Sequence, residues 1–305
     1  MSQHLVLKGQ AGLCNRLWYL LGAMSFADRW GLTLSIDWRD GLYAPLNVNA
    51  FDELFRLNQP LLDPDEAYQG SIYPGYWSEN PCESFDVLHR TLRQASGRSL
   101  GQKELMYPLW SLLLDKPAAT TLLCTGYRFS SRELYLARAC SNARLLASRL
   151  ELSKACEDFI ESELPSLQGC IGVHVRRTDS RRQVELEQYF RKIPSDGRSI
   201  FLCTDSSEVD EAFRQRYDSR ILPVKRIYPE AGKRLHSAAH DVSLRSRMSL
   251  EAVRDLYGLS RCGMIVHGVN SSYSRYAIQV LADPSCEVRV ARPRADRWRR
   301  LAILR

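Results

Sequence analysis

The sequence lacks the glycine fingerprints that most readily mark a nucleotide site. Neither Gly-x-x-x-x-Gly-Lys-[Ser/Thr] nor Gly-x-Gly-x-x-Gly occurs in its 305 residues, so any phosphate must be held by arginines and helix N-termini. His-Glu-x-x-His and Gly-x-Ser-x-Gly are also missing, which removes two common hydrolase signatures. The nine cysteines are odd in number and scattered, with no Cys-x-x-Cys. That pattern predicts reduced thiols and no zinc site, with Cys124, Cys170 and Cys203 as small buried hydrophobes. No apolar run approaches 18 residues, so no transmembrane helix is predicted. The opening Met1–Lys8 runs straight into a strand-like segment without a basic and apolar leader, and a cytoplasmic protein is expected. Internal repeats and low-complexity tracts are absent.

Charge is present but unevenly placed. Residues 289–305 hold seven arginines and one aspartate, +6 of the net charge of +7. This tail fits either a peripheral contact with an anionic membrane or a solvated helix face flanking Trp298, Leu301 and Leu304. Because the charge is confined to one end, with no basic stripe elsewhere, no nucleic-acid partner is expected.

Apolar periodicity predicts an α/β protein of two Rossmann-like domains facing across a cleft. The expected boundaries are 1–165, 166–291 and a basic C-terminal helix over 292–305 that packs back on the first domain. In the first domain, strand 5–7, helix 13–30 stopped by Gly31, and strand 32–36 open the fold. A helix near 51–57, a strand over 120–125 and a mostly helical stretch over 130–164 follow. The second domain alternates more clearly. Strands are expected at 170–175, 199–204, 220–224, 263–267 and 286–291. Helices are expected near 185–193, 207–217, 243–261 and 275–282.

The chemistry concentrates in Ile171-Gly-Val-His-Val-Arg-Arg-Thr-Asp179. A short buried strand runs into two guanidinium groups, at the strand end where open α/β sheets bind ligands. Guanidinium forks there suit a diphosphate, or form a structural pair with Asp179. Thr204 and Asp205 end the next strand, where hydroxyls and a carboxylate fit a ribose, or Ser206 or Ser207 caps the following helix. Asn270-Ser-Ser-Tyr-Ser274 opens a helix, with Ser271 and Ser272 as phosphate contacts or plain caps. Gly9-Gln-Ala-Gly-Leu-Cys-Asn-Arg16 fills the first strand-to-helix turn, and Gly12 and Asn15 are its candidate donor contacts.

Taken together, these segments resemble the nodulation protein Z type of fucosyltransferase, within the wider α1,6- and O-fucosyltransferase group. The resemblance rests on Leu32–Arg39 with Asn49-Ala-Phe51, Ile171–Asp179, Phe201–Ser206, Leu235–Ala238, Asp255–Cys262 and Ser271–Ala277. These keep their order across nearly the whole chain, while about 55–165 matches poorly. It implies the GT-B architecture and transfer of L-fucose from GDP-β-L-fucose to a glycan hydroxyl, with inversion and without a metal or other cofactor. It also implies roles for single residues. Arg176 would clamp the diphosphate, Arg177 would hold the loop or meet the sugar, and His174 would position the nucleotide. Asp255 would pair with guanine N1–H and N2–H₂, and Ser271 and Ser272 would touch the phosphates. His236, with His240, would lie in a segment closing over the donor. Relatives carry a glutamate base after the Arg-Arg-Thr-Asp segment. Glu185 lies near that place, offset by one, and Asp179 and Asp37 are the other candidate bases. The alternatives are a transferase of the same architecture using another nucleotide sugar, and a non-catalytic binder of nucleic acid or membrane through the arginine tail.

Overall fold

The computed structural model describes residues 3–96, 120–125, 142–177, 184–229, 241–269 and 271–293. Asp179, His236, His240 and the tail from 294 onward lie outside the described residues. The chain divides into two compact units, Met1–Cys156 and Glu157–Arg305.

In the first unit, β1 (His4–Lys8), α1 (Leu13–Trp30) and β2 (Thr33–Asp37) follow the expected order. Helix α1 stops because Gly31 turns left-handed at φ 63°, a conformation open to glycine at little cost. Next come α2 (Ala50–Leu54), β3 (Phe55–Leu57), α3 (Pro64–Ala67), β4 (Ile72–Tyr73), α4 (Phe85–Ser96) and β5 (Thr121–Thr125). The main sheet has the order β2-β1-β5-β4 and is parallel throughout. The expected helix over 51–57 is corrected, since its last three residues form β3. Phe55 and Leu57 are buried and Arg56 is exposed, the two-residue period of a strand. Residues 130–141 of the stretch expected to be mostly helical lie outside the described residues. Its remainder contains α5 (Asn142–Ala147), then β6 (Leu150–Leu152), then α6 (Lys154–Glu163), which runs on into the second unit. β6 pairs antiparallel with β3.

The second unit carries β7 (Ile171–Val175), α7 (Leu186–Phe190), β8 (Ile200–Thr204), α8 (Ser207–Tyr217), α9 (Val242–Ser260), β9 (Met264–Gly268), α10 (Ser272–Tyr276) and β10 (Glu287–Ala291). Its sheet is also parallel, ordered β10-β9-β7-β8. The strand expected at 220–224 is reduced to one bridge between Ile200 and Ile221. A tight turn over Asp218–Arg220 precedes it, and Pro223 has no N–H to extend the ladder. Helix α10 starts three residues earlier than expected because the Ser271 hydroxyl accepts from Ser274 N–H and caps it.

One face of this sheet buries Ile171, Val173, Val175, Ile200, Leu202, Met264 and Val266 against Tyr189, Val209 and Phe213. The other face takes α9 at close range. A β-carbon at Gly172 would stand 2.7 Å from Leu259, and one at Gly258 would stand 2.6 Å from the Phe201 ring. Eight cysteines lie among the described residues, all free and six of them buried, including Cys124, Cys170 and Cys203; Cys82 is exposed. Among the described residues no helix is long and apolar enough to cross a membrane, and no group of His, Cys, Asp and Glu is arranged to hold a metal.

Candidate functional site

In the second unit, three strands bring the candidate residues to the carboxyl edge of one parallel sheet. Arg176 and Arg177 follow β7, Thr204 and Asp205 end β8, and Ser271 and Ser272 follow β9. Asp205 Oδ1 accepts the Arg177 backbone N–H at 2.7 Å. This bond fixes the direction of the arginine loop as it leaves the sheet. Thr204 Oγ1 accepts from Ser206 N–H at 3.3 Å, and the Ser206 hydroxyl caps α8 at Val209 N–H. Both therefore support local backbone, as the capping reading anticipated. Ser272 is the partly exposed first residue of α10.

His174 is buried beneath this edge. Its Nδ1 lies 2.6 Å from Ser274 Oγ, and its ring stacks on Tyr273 at 4.8 Å. Tyr273 is itself fixed by donating its hydroxyl to the Ala252 carbonyl at 2.6 Å. Burial first, then the charges of Arg176 and His267, push the His174 pKa down to about 3. The imidazole is therefore neutral at physiological pH. His267 is its register partner on β9 and donates Nδ1–H to the Gly268 carbonyl at 2.7 Å. Burial likewise lowers its pKa. Sequence reasoning missed His267 and the roles of Tyr273 and Ser274. The one available signal was alternation, which puts His174 and His267 at equivalent positions of two adjacent buried strands.

Asp255, within α9, is buried and meets two arginines. Arg254 donates Nε–H and Nη2–H to Oδ1 at 3.0 and 2.9 Å. Arg226 donates Nε–H to Oδ2 at 2.6 Å and Nη2–H to Oδ1 at 3.4 Å. Burial works against the charge on Arg226, but Asp255 outweighs it and holds the pKa above arginine's ordinary value. Of the four guanidinium N–H groups that reach this carboxylate, three fall on Oδ1 and one on Oδ2. The network continues from Arg254 to Glu163 and from Arg247 to Glu163 and Glu251. Glu251 in turn accepts the Ile227 N–H at 2.8 Å.

In the first unit, the candidate base Asp37 ends β2. It is 1% exposed and accepts from Lys8 Nζ at 2.8 Å, Arg39 Nε at 2.9 Å and Tyr68 Oη at 2.5 Å. Burial raises its pKa, yet Lys8, Arg39 and Tyr68 together carry it down to about 2. These three donors hold the Asp37 carboxylate in its charged form. Lys8 is correspondingly held by Asp37 and by the Pro81 carbonyl at 2.7 Å. Gly12 is the N-cap of α1 in extended backbone, and Asn15 follows on its first turn, partly exposed. The glycine that matters most for packing in this turn is Gly9. A β-carbon there would stand 2.3 Å from Arg16 Nη1, and Arg16 is buried in an ion pair with Asp40. Glu185 is exposed at the N-cap position of α7.

No family model matches the chain. The chain is similar to Nodulation protein Z of Bradyrhizobium diazoefficiens, with 26% identity over 90% of this chain and 78% of the relative. It is similar to Nodulation protein Z of Azorhizobium caulinodans at 23% identity, over 90% and 88% of the two chains. Among solved structures it shares the fold of NodZ α-1,6-fucosyltransferase co-crystallised with GDP, at a TM-score of 0.60 and 23% identity, over 92% of this chain and 93% of that one. It also shares the fold of POFUT1 in complex with GDP-fucose, at a TM-score of 0.51 and 14% identity, over 95% and 98%. The likeness read from short motifs thus extends through nine-tenths of the chain, and the fold is the GT-B type of these fucosyltransferases.

Proposed function

We propose that the chain is a glycosyltransferase that moves L-fucose from GDP-β-L-fucose to a hydroxyl of a glycan acceptor, with inversion and without a metal. The observation that carries this reading is Arg176-Arg177 at the carboxyl end of the central strand β7, in a chain that keeps the NodZ fold over 92% of its length. Negative charge develops on the β-phosphate as the sugar departs, and fixed guanidinium groups stabilise it. Arg176 takes the diphosphate, while Arg177, its backbone fixed by Asp205, holds the loop or meets the sugar. His174, neutral and stacked on Tyr273, positions the nucleotide without adding charge. Ser271 and Ser272 reach the phosphates from the start of α10, and Asp255 reads guanine. The acceptor proton goes to a carboxylate following the arginine loop, Glu185 or Asp179. A cytoplasmic location, with the arginine tail at an anionic membrane face, completes the proposal.

Thermal shifts with GDP, ADP and UDP in EDTA test the reading. Selective stabilisation by GDP is expected, and no shift at millimolar GDP would sink it. Arg176→Ala should abolish that stabilisation and slow transfer by about 10²–10³-fold, the cost of losing one charge-stabilising donor.

A further inference from the structure

We infer that Arg226 is an internal stand-in for guanine, seated on Asp255 and displaced when a guanine nucleotide arrives. The inference rests on the donor reading above, in which Asp255 recognises the base. Guanine offers a carboxylate two neighbouring N–H donors, N1–H and N2–H, in one plane. The guanidinium fork offers the same pattern through Nε–H and Nη2–H, and Arg226 sets these two groups on the two oxygens of Asp255 at 2.6 and 3.4 Å. Base and side chain therefore compete for one acceptor pair.

The two arginines on Asp255 are not equivalent. Arg254 belongs to α9, is fully buried and continues to Glu163. It bonds Oδ1 through two N–H groups and stays when Oδ2 is vacated. Arg226 comes from 222–229, a stretch without helix or strand. It is tethered there by its own Nη1–H to the Val224 carbonyl at 3.3 Å and by Ile227 N–H to Glu251. Its exchange for guanine leaves Asp255 paired, because Arg254 still faces it, while the buried Arg226 guanidinium gives up its carboxylate and must carry its charge into water. The pairing with Arg254 removes the large penalty of stranding a buried carboxylate. A competitor of this kind lowers the fraction of protein ready to bind, and apparent affinity falls by that fraction.

Stopped-flow binding of GDP and of pyrophosphate to the wild type, Arg226→Ala and Arg226→Gln tests the exchange. Association of GDP should quicken roughly 3- to 10-fold in Arg226→Ala, with dissociation unchanged, as the competent fraction rises. Arg226→Gln, which keeps one donor, should quicken it less, and decides the matter if the alanine variant does not fold. Pyrophosphate, which has no base, should gain nothing in either variant. Unchanged association, or faster dissociation of GDP, would overturn the inference and leave the donor reading intact. Failure of the wild type to bind GDP at all would overturn both.

Discussion

One methyl group at Gly268 decides whether Tyr189 keeps its place. A β-carbon there would stand 2.3 Å from the Tyr189 hydroxyl and 3.7 Å from Val184, and both side chains are buried. Gly268→Ala should therefore cost about 1–3 kcal/mol, the usual penalty of overpacking. Urea denaturation would show it, and adding Tyr189→Phe should recover part of the loss. Asp37→Asn should cost more, roughly 3–5 kcal/mol, because it leaves Lys8 buried without its counter-charge. A loss below 1 kcal/mol in the same assay would contradict the ion-paired role. The His-x-Arg-Arg segment was legible in the sequence because its residues are contiguous. The partners that give them meaning were not. Ser274 lies 100 residues from His174, Arg226 lies 29 from Asp255, and Tyr68 lies 31 from Asp37. Only the fold brings such pairs together.

Elements were read best where one physical signal stood alone. β7, β8 and β9 are mostly apolar runs flanked by polar loops, and helix α1 carries its own stop at Gly31. Reading failed where a short strand followed a helix directly, as at Phe55–Leu57, whose partner β6 lies some ninety residues on. It failed again where apolar residues surround Pro223, which cannot extend a ladder. Helix α10 was placed late because its cap is a serine amid serines. Ser271→Ala should cost about 1 kcal/mol. The effect should be local, seen as faster amide exchange over 272–276 with the exchange of β7 unchanged.

For the whole molecule, buried histidine and aspartate set two separate acid limits. His174 titrates near 6.5 when unfolded and about 3 when folded. The unfolded chain binds the proton first, so stability falls as pH drops from about 6.5 towards 3, by at most about 1.4 kcal/mol per pH unit. Asp37 contributes in a lower window. Its stabilisation is present above about pH 4 and is lost as pH falls through about 2. The second unit should weaken first on acidification and the first unit later. Urea midpoints between pH 7 and 2 would follow this, and His174→Gln should flatten the upper limb in part, buried His267 keeping a share of it, without moving the lower one.

The burial of the thiols gives the protein a chemical handle. Burial pushes the Cys124, Cys156, Cys203 and Cys262 thiols above their ordinary range, where they react slowly with alkylating reagents. Cys82 is exposed and directly follows Pro81, whose carbonyl holds Lys8. Cys286 is partly exposed, so in a Cys140→Ser, Cys286→Ser background a maleimide fluorophore should enter chiefly at Cys82. Its emission would then report on the Lys8–Asp37–Tyr68 cluster alone, separating the acid response of one unit from that of the other.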